Sequence, residues 1–193
     1  MAATGNILFS GVGGQGILLA SEVTAYALLS AGYDAKKSEV HGMAQRGGSV
    51  TAQLRYGDKV YSPLIEPGKA DILISFEMME AARYLPYLHK ESKVIVNSQQ
   101  IKPPSVAMGV IPYPAEVLDS ISSQGIQVVK VDAFDIARDA GEVKAANIVM
   151  VGAMSAFLPM DVEVYENIIN TRIPERFREV NMKAFAAGRK ITA

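Results

Sequence analysis

Two glycine-rich segments hold the residues whose types and spacing could do chemistry. The first is Gly11-Val12-Gly13-Gly14-Gln15-Gly16, in which Gly11, Gly13 and Gly16 satisfy G-x-G-x-x-G. Between a strand and a helix, such a run permits a tight turn and presents free N–H groups at the helix N-terminus, where an anion is favoured. The dinucleotide fingerprint also needs an acidic residue about 20 positions later, at the end of the second strand. Asp34 has nearly that spacing but opens the expected strand, whereas Glu39 closes it and comes late. A helix should follow that strand, yet a Gly/Arg loop and a β-hairpin follow instead. The same glycines would also let the first helix pack close to the sheet, so ligand loop and packing device both stay open. A P-loop fits less well: Gly11 to Gly16 has the G-x-x-x-x-G spacing, but Ile17-Leu18 stand where the phosphate-binding Lys and the Mg²⁺-binding Ser/Thr belong.

The second segment is His41-Gly42-Met43-Ala44-Gln45-Arg46-Gly47-Gly48. An arginine flanked by glycines at a strand end can lay its guanidinium against a carboxylate or phosphate. Gly47 and Gly48 let a ligand or another backbone approach closely. His41 titrates near neutrality and could act as a base, but a single loop histidine is more often exposed or simply hydrogen-bonded. Other residues offer less. Glu77 and Glu80 lie about one turn apart at a helix start, where acids favour the dipole anyway. Ser10, Ser75 and Ser98 sit at strand ends without a G-x-S-x-G elbow. The two His, His41 and His89, make no metal-ligand pattern, and no metal site is expected.

The elements that must position these loops follow from periodicity. Asn6 to Ser10 is a short apolar run expected as a buried strand, and Ile17 to about Ala31 as a helix. A second strand is expected over Tyr33 to Val40. Val50, Ala52, Leu54 and Tyr56 then alternate with Ser49, Thr51, Gln53 and Arg55, predicting a strand with one buried face. Turn chemistry at Tyr56-Gly57-Asp58-Lys59 predicts a return along Val60-Tyr61. Strands over Ala70–Phe76, Lys93–Asn97 and Ile126–Val131 alternate with helices near Glu77–Tyr84 and Ala115–Ser123. Four helices then close the chain, at about Phe134–Ala140, Ala145–Leu158, Val162–Asn170 and Glu175–Ala187. The expected class is α/β: a Rossmann-like three-layer fold with a largely parallel sheet, an antiparallel hairpin insertion and a helical C-terminal end.

Composition narrows the function. The 193 residues carry 19 Lys+Arg against 20 Asp+Glu, a net charge of −1, which gives no reservoir for gripping nucleic acid or an anionic membrane. There is no apolar run of the roughly 20 residues a membrane span needs, and no secretory leader pattern, so a cytoplasmic protein is expected. With no Cys, disulfides, a cysteine nucleophile and thiolate-held zinc or iron–sulfur centres of this chain are excluded.

Together, Gly11-Val12-Gly13-Gly14-Gln15-Gly16 and His41 through Ser49-Val50 resemble the gamma-type domain of 2-oxoacid:ferredoxin oxidoreductases, most closely the small (beta) subunits of the indolepyruvate enzymes. The resemblance covers nearly the whole chain as one domain, 1–193, including the late Asn147…Gly152-Ala153 helix. It implies a CoA-dependent oxidative decarboxylation, in which a 2-oxoacid gives an acyl-CoA, CO₂ and reduced ferredoxin. It also implies that thiamine diphosphate, Mg²⁺ and [4Fe–4S] clusters sit on a large (alpha) partner subunit, so that this chain binds none of them and is inactive alone. The residues agree: each cubane cluster takes four thiolates, and no Gly-Asp-Gly…Asn diphosphate motif is present. On this reading Arg46, supported by His41, Gln45 and Ser49 as hydrogen-bond donors, faces the substrate carboxylate or a CoA phosphate. Gly11, Gly13, Gly14, Gln15, Gly16, Gly42, Gly47 and Gly48 form the ligand or interface loops. The alternatives are a stand-alone NAD(P)- or FAD-binding oxidoreductase and a purely structural partner-binding subunit.

Overall fold

The computed structural model describes residues 4–41, 48–114 and 116–192. β1 (Gly5–Val12) leads through the first glycine loop into α1 (Ile17–Ser30). β2 (Asp34–His41) pairs antiparallel with β3 (Ser49–Gly57), and β3 pairs antiparallel with β1. β4 (Ala70–Ser75) lies parallel to β1 on its other side and is followed by α2 (Met78–Arg83). β5 (Leu88–Asn97), α3 (Pro104–Ala107), α4 (Val117–Ser123) and β6 (Gln127–Val131) continue the chain, with β5 and β6 added in parallel. α5 (Ala133–Ala140), α6 (Ala146–Ser155), α7 (Val162–Arg172) and α8 (Glu175–Arg189) complete it. The sheet order is β2-β3-β1-β4-β5-β6.

Alternation along the strands builds two cores. Ile7, Phe9, Ile72, Ile74 and Ile95 pack with α1 and α5 to α8, whereas Leu8, Leu73, Val94 and Val96 pack with α2 and α4. This is the expected three-layer arrangement. Each such fully buried Ile, Leu or Phe contributes about 2 kcal/mol of transfer free energy. All residues of α6 are buried, because it lies between the sheet and α8. In α8, Ala184 and Phe185 face the core, Phe177 and Val180 are half-buried, and Arg176, Glu179 and Lys183 are exposed. The basic C-terminal residues pin helices: the Arg172 guanidinium lies 3.5 Å over the Tyr26 ring, and Arg189 Nη1 donates to Ser155 Oγ at 2.8 Å. Among the described residues no helix is long and apolar enough to cross a membrane.

The hairpin differs from expectation. Val60-Tyr61 is not a strand; β3 has β2 and β1 on its two edges instead. The Val60 N–H is taken by Asp34 Oδ2 at 2.9 Å, and the chain beyond it crosses the polar face of β3, where Ile65 N–H donates to Gln53 Oε1 at 2.6 Å. That face is therefore covered rather than solvated.

Candidate functional site

The carboxyl ends of β1, β4 and β5 lie at one edge of the sheet, where α/β folds place their ligand crevices. The first glycine loop lies on that edge and is held by Gln15. Gln15 Oε1 accepts the Val12 N–H at 2.7 Å, and Nε2 donates to Phe76 O and to Gln99 Oε1, each at 2.7 Å. One side chain thus ties the ends of all three strands together. Gly11 has no room for a Cβ, which would fall 2.8 Å from Gln15 Oε1 and 2.9 Å from Phe76 Cβ. Gly16 turns the chain into α1 with φ +77°, and Asn147 Nδ2 donates to its carbonyl at 3.3 Å. Gly14, at φ +103°, faces open space.

The two glycine segments meet directly. Gly13 N–H donates to Gly48 O at 2.9 Å. Next to it, Ser49 Oγ donates to Glu80 Oε2 at 2.6 Å, so the Ser49 proton is directed at α2 and its oxygen is left as an acceptor. His41 closes β2 opposite Val50. Gly42, Gln45, Arg46 and Gly47, and the His41 side chain, lie outside the described residues.

Glu77 and Glu80, read in the sequence as helix-start acids, are buried at 1% and 5% exposure. Glu77 does cap α2, with Oε2 accepting Glu80 N–H at 3.0 Å, but it also organises two further segments. Its Oε1 accepts Ile101 N–H at 3.0 Å and the Tyr113 hydroxyl at 2.5 Å. Burial, then the hydrogen bond to Glu77, push the Tyr113 phenol well above its ordinary range. Glu80 accepts from Arg83 Nε at 3.2 Å as well as from Ser49. No local signal separates these two from solvated acids at a helix start, because what covers them comes from residues distant in sequence, Ser49, Ile101 and Tyr113.

Two cavities flank the first loop. One, of about 190 Å³, lies between Val12, Ser49, Glu80, Arg83 and Lys102. The other, of about 390 Å³, is lined by Gly14, Gly16, Phe76, Phe134, Val143 and Lys144.

This geometry departs from that of a dinucleotide site. The amides of Val12, Gly13 and Gln15 are all engaged within the protein, the last by Val12 O at 3.2 Å. β3 separates β2 from β1, so the end of β2 stands about 9 Å from β1 instead of one strand spacing. Asp34 binds Val60 N–H and Lys36, and Glu39 pairs with Lys37 at 2.5 Å. Among the described residues, no group of three or more His, Cys, Asp or Glu is placed to hold a metal ion. With no Cys in the sequence, the residues present do not fit an iron–sulfur cluster.

Comparison with known proteins agrees with this picture. Residues 6–191 match the pyruvate ferredoxin/flavodoxin oxidoreductase family. The chain is 42% identical over 190 residues to an indolepyruvate oxidoreductase subunit IorB of Pyrococcus horikoshii, covering 96% of this chain and 94% of that one. It is 41% identical over 187 residues to the corresponding subunit of Archaeoglobus fulgidus, covering 95% and 92%. The gamma subunit of a keto/oxoacid ferredoxin oxidoreductase from Geobacter sulfurreducens superposes with a TM-score of 0.73 at 27% identity, covering 97% of this chain and 98% of that one. With Gly48 bonded to the first glycine loop and a family match across nearly its full length, the chain belongs to the pyruvate ferredoxin/flavodoxin oxidoreductase family.

Proposed function

We propose that this chain is the small, gamma-type subunit of a cytoplasmic 2-oxoacid:ferredoxin oxidoreductase that acts on an arylpyruvate such as indolepyruvate. The complex converts the 2-oxoacid and CoA to an acyl-CoA and CO₂ and passes the electrons to ferredoxin. Thiamine diphosphate with Mg²⁺ and [4Fe–4S] clusters supply decarboxylation and electron transfer from the large (alpha) partner subunit. This chain, as one domain over 1–193, supplies the edge built from its two glycine segments. There Arg46, with His41 and Gln45 as supporting donors, holds an anionic group of substrate or CoA; Ser49, expected from the sequence as a third donor, gives its proton to Glu80 and so anchors the segment instead. Gly11, Gly13, Gly14, Gln15 and Gly16 keep the facing loop compact, and Gly42, Gly47 and Gly48 leave room for the partner.

The observation that carries this reading is the Gly13–Gly48 bond, which joins the two motifs at the edge where α/β folds place their ligands, in a chain 42% identical to an indolepyruvate oxidoreductase subunit. The test is to reconstitute the chain with its large partner and follow ferredoxin or dye reduction with indolepyruvate, phenylpyruvate, pyruvate and 2-ketoisovalerate. The reading expects activity only from the complex, with the highest kcat/KM for indolepyruvate. Micromolar binding of NAD(P) or FAD by the isolated chain, without activity in the complex, would point to a stand-alone oxidoreductase instead.

A further inference from the structure

α2 packs its apolar residues Met78 and Ala81 into the core, and it reaches β3 through a polar contact, the bond that Ser49 donates to Glu80. Just past the end of α2, the Tyr84 and Thr51 hydroxyls are hydrogen-bonded as well. Glu80 is the costly residue at this junction. A carboxylate at 5% exposure must be hydrogen-bonded to be tolerated, and an apolar residue of similar volume would cover β3 at lower cost. Its ion-pair partner, Arg83, is 53% exposed on its side chain, so the pair is screened and does not by itself account for a buried acid. What Glu80 does that an apolar residue cannot is fix Ser49, the residue directly after Gly48. Gly48 in turn accepts from Gly13. Two adjacent residues at the end of the second glycine segment are thus anchored, one to the first loop and one to α2.

We propose that Glu80 is a positioning residue: acting through Ser49, it holds the C-terminal root of the second glycine segment against the first and so sets the geometry of the edge that serves the reaction. Glu80 itself need not touch substrate. The proposal rests on the reading above that this edge serves catalysis in the complex.

The test combines hydrogen exchange at the Gly13 amide in the full chain with turnover in the reconstituted complex, for Glu80→Ala, Glu80→Gln, Ser49→Ala and the Ser49→Ala/Glu80→Ala double variant. Loss of a hydrogen bond to a carboxylate predicts that Glu80→Ala speeds Gly13 exchange about tenfold, with α6 amides keeping their protection and kcat falling by a similar factor. Glu80→Gln keeps an oxygen that can accept the Ser49 proton, and is expected to restore most of both. In the Ser49→Ala background, Glu80→Ala should add little to either. Unchanged Gly13 exchange, fully additive effects, or faster exchange with intact kcat would each overturn the proposal. It fails separately from the reading it rests on, since Gly13 exchange is read on the chain alone whereas the role of the edge is read by Arg46→Ala in the complex.

Discussion

The side-chain amide of Asn147 donates to the Gly16 carbonyl and fills the space a Gly16 side chain would need: a Cβ there would lie 2.6 Å from Asn147 Nδ2. This contact seats the N-terminus of α1 on the buried α6 and fixes where the first loop stands. Gly16→Ala is expected to cost about 2–3 kcal/mol, from the clash and the left-handed backbone together. Gly14→Ala, which meets no atom within 4 Å, should cost only about 1 kcal/mol of backbone strain. Urea denaturation of the two variants measures the difference, and equal costs would contradict the packing role of Asn147.

Gly152 and Gly188 let α6 and α8 touch backbone to backbone. A Cβ on Gly152 would come 2.2 Å from Phe185 O, and one on Gly188 would come 2.0 Å from Val149 O. Neither carbonyl can move without parting the helices, so each Gly→Ala change should destabilise by about 1–3 kcal/mol or more. The expected signature is a lower denaturation midpoint with an unchanged m-value.

Gln15→Leu removes an acceptor and two donor contacts while keeping the volume. It leaves the Val12 N–H and Gln99 without their partner, which should cost about 1–3 kcal/mol. Because β1, β4 and β5 lose their common tie, amide exchange at Val12 should rise before that of α8. Protection at Val12 equal to wild type would contradict the latch.

Much of this fold was legible locally. The strands around Ile7–Phe9, Ile72–Ile74 and Val94–Val96 and the buried α6 follow from apolar runs and period, which the chain carries within a few residues. The place of β3 between β1 and β2 was not, since strand pairing is decided by partners distant in sequence. For the same reason Val60-Tyr61 read as a strand although Asp34 claims the Val60 amide. In the site, the glycine segments were legible as motifs. The burial of Glu77 and Glu80 was not, because an acid at a helix start looks alike whether solvent or another strand covers it.

Asp34 gives a pH dependence with a definite sign. Its hydrogen bond from Val60 N–H, then that from Lys36, hold its carboxyl below the ordinary 3.8. A depressed folded pKa gives stability that is fully present above the unfolded value and is lost as pH falls through the folded one. The stability gap between wild type and Asp34→Asn should therefore be constant above about pH 5 and shrink as the pH falls through the ordinary carboxylate range and below it. A gap that does not change across that range would contradict the assignment.

On the proposed function, the joined glycine segments form a working edge of a 2-oxoacid:ferredoxin oxidoreductase. The most direct measurement is the steady-state kinetics of the reconstituted complex carrying Arg46→Ala, with its assembly followed by mass. The account predicts an intact complex whose kcat with indolepyruvate falls about tenfold or more, the loss expected for a charge-assisted contact. An intact complex with unaltered kcat and KM for every 2-oxoacid and for CoA would contradict it.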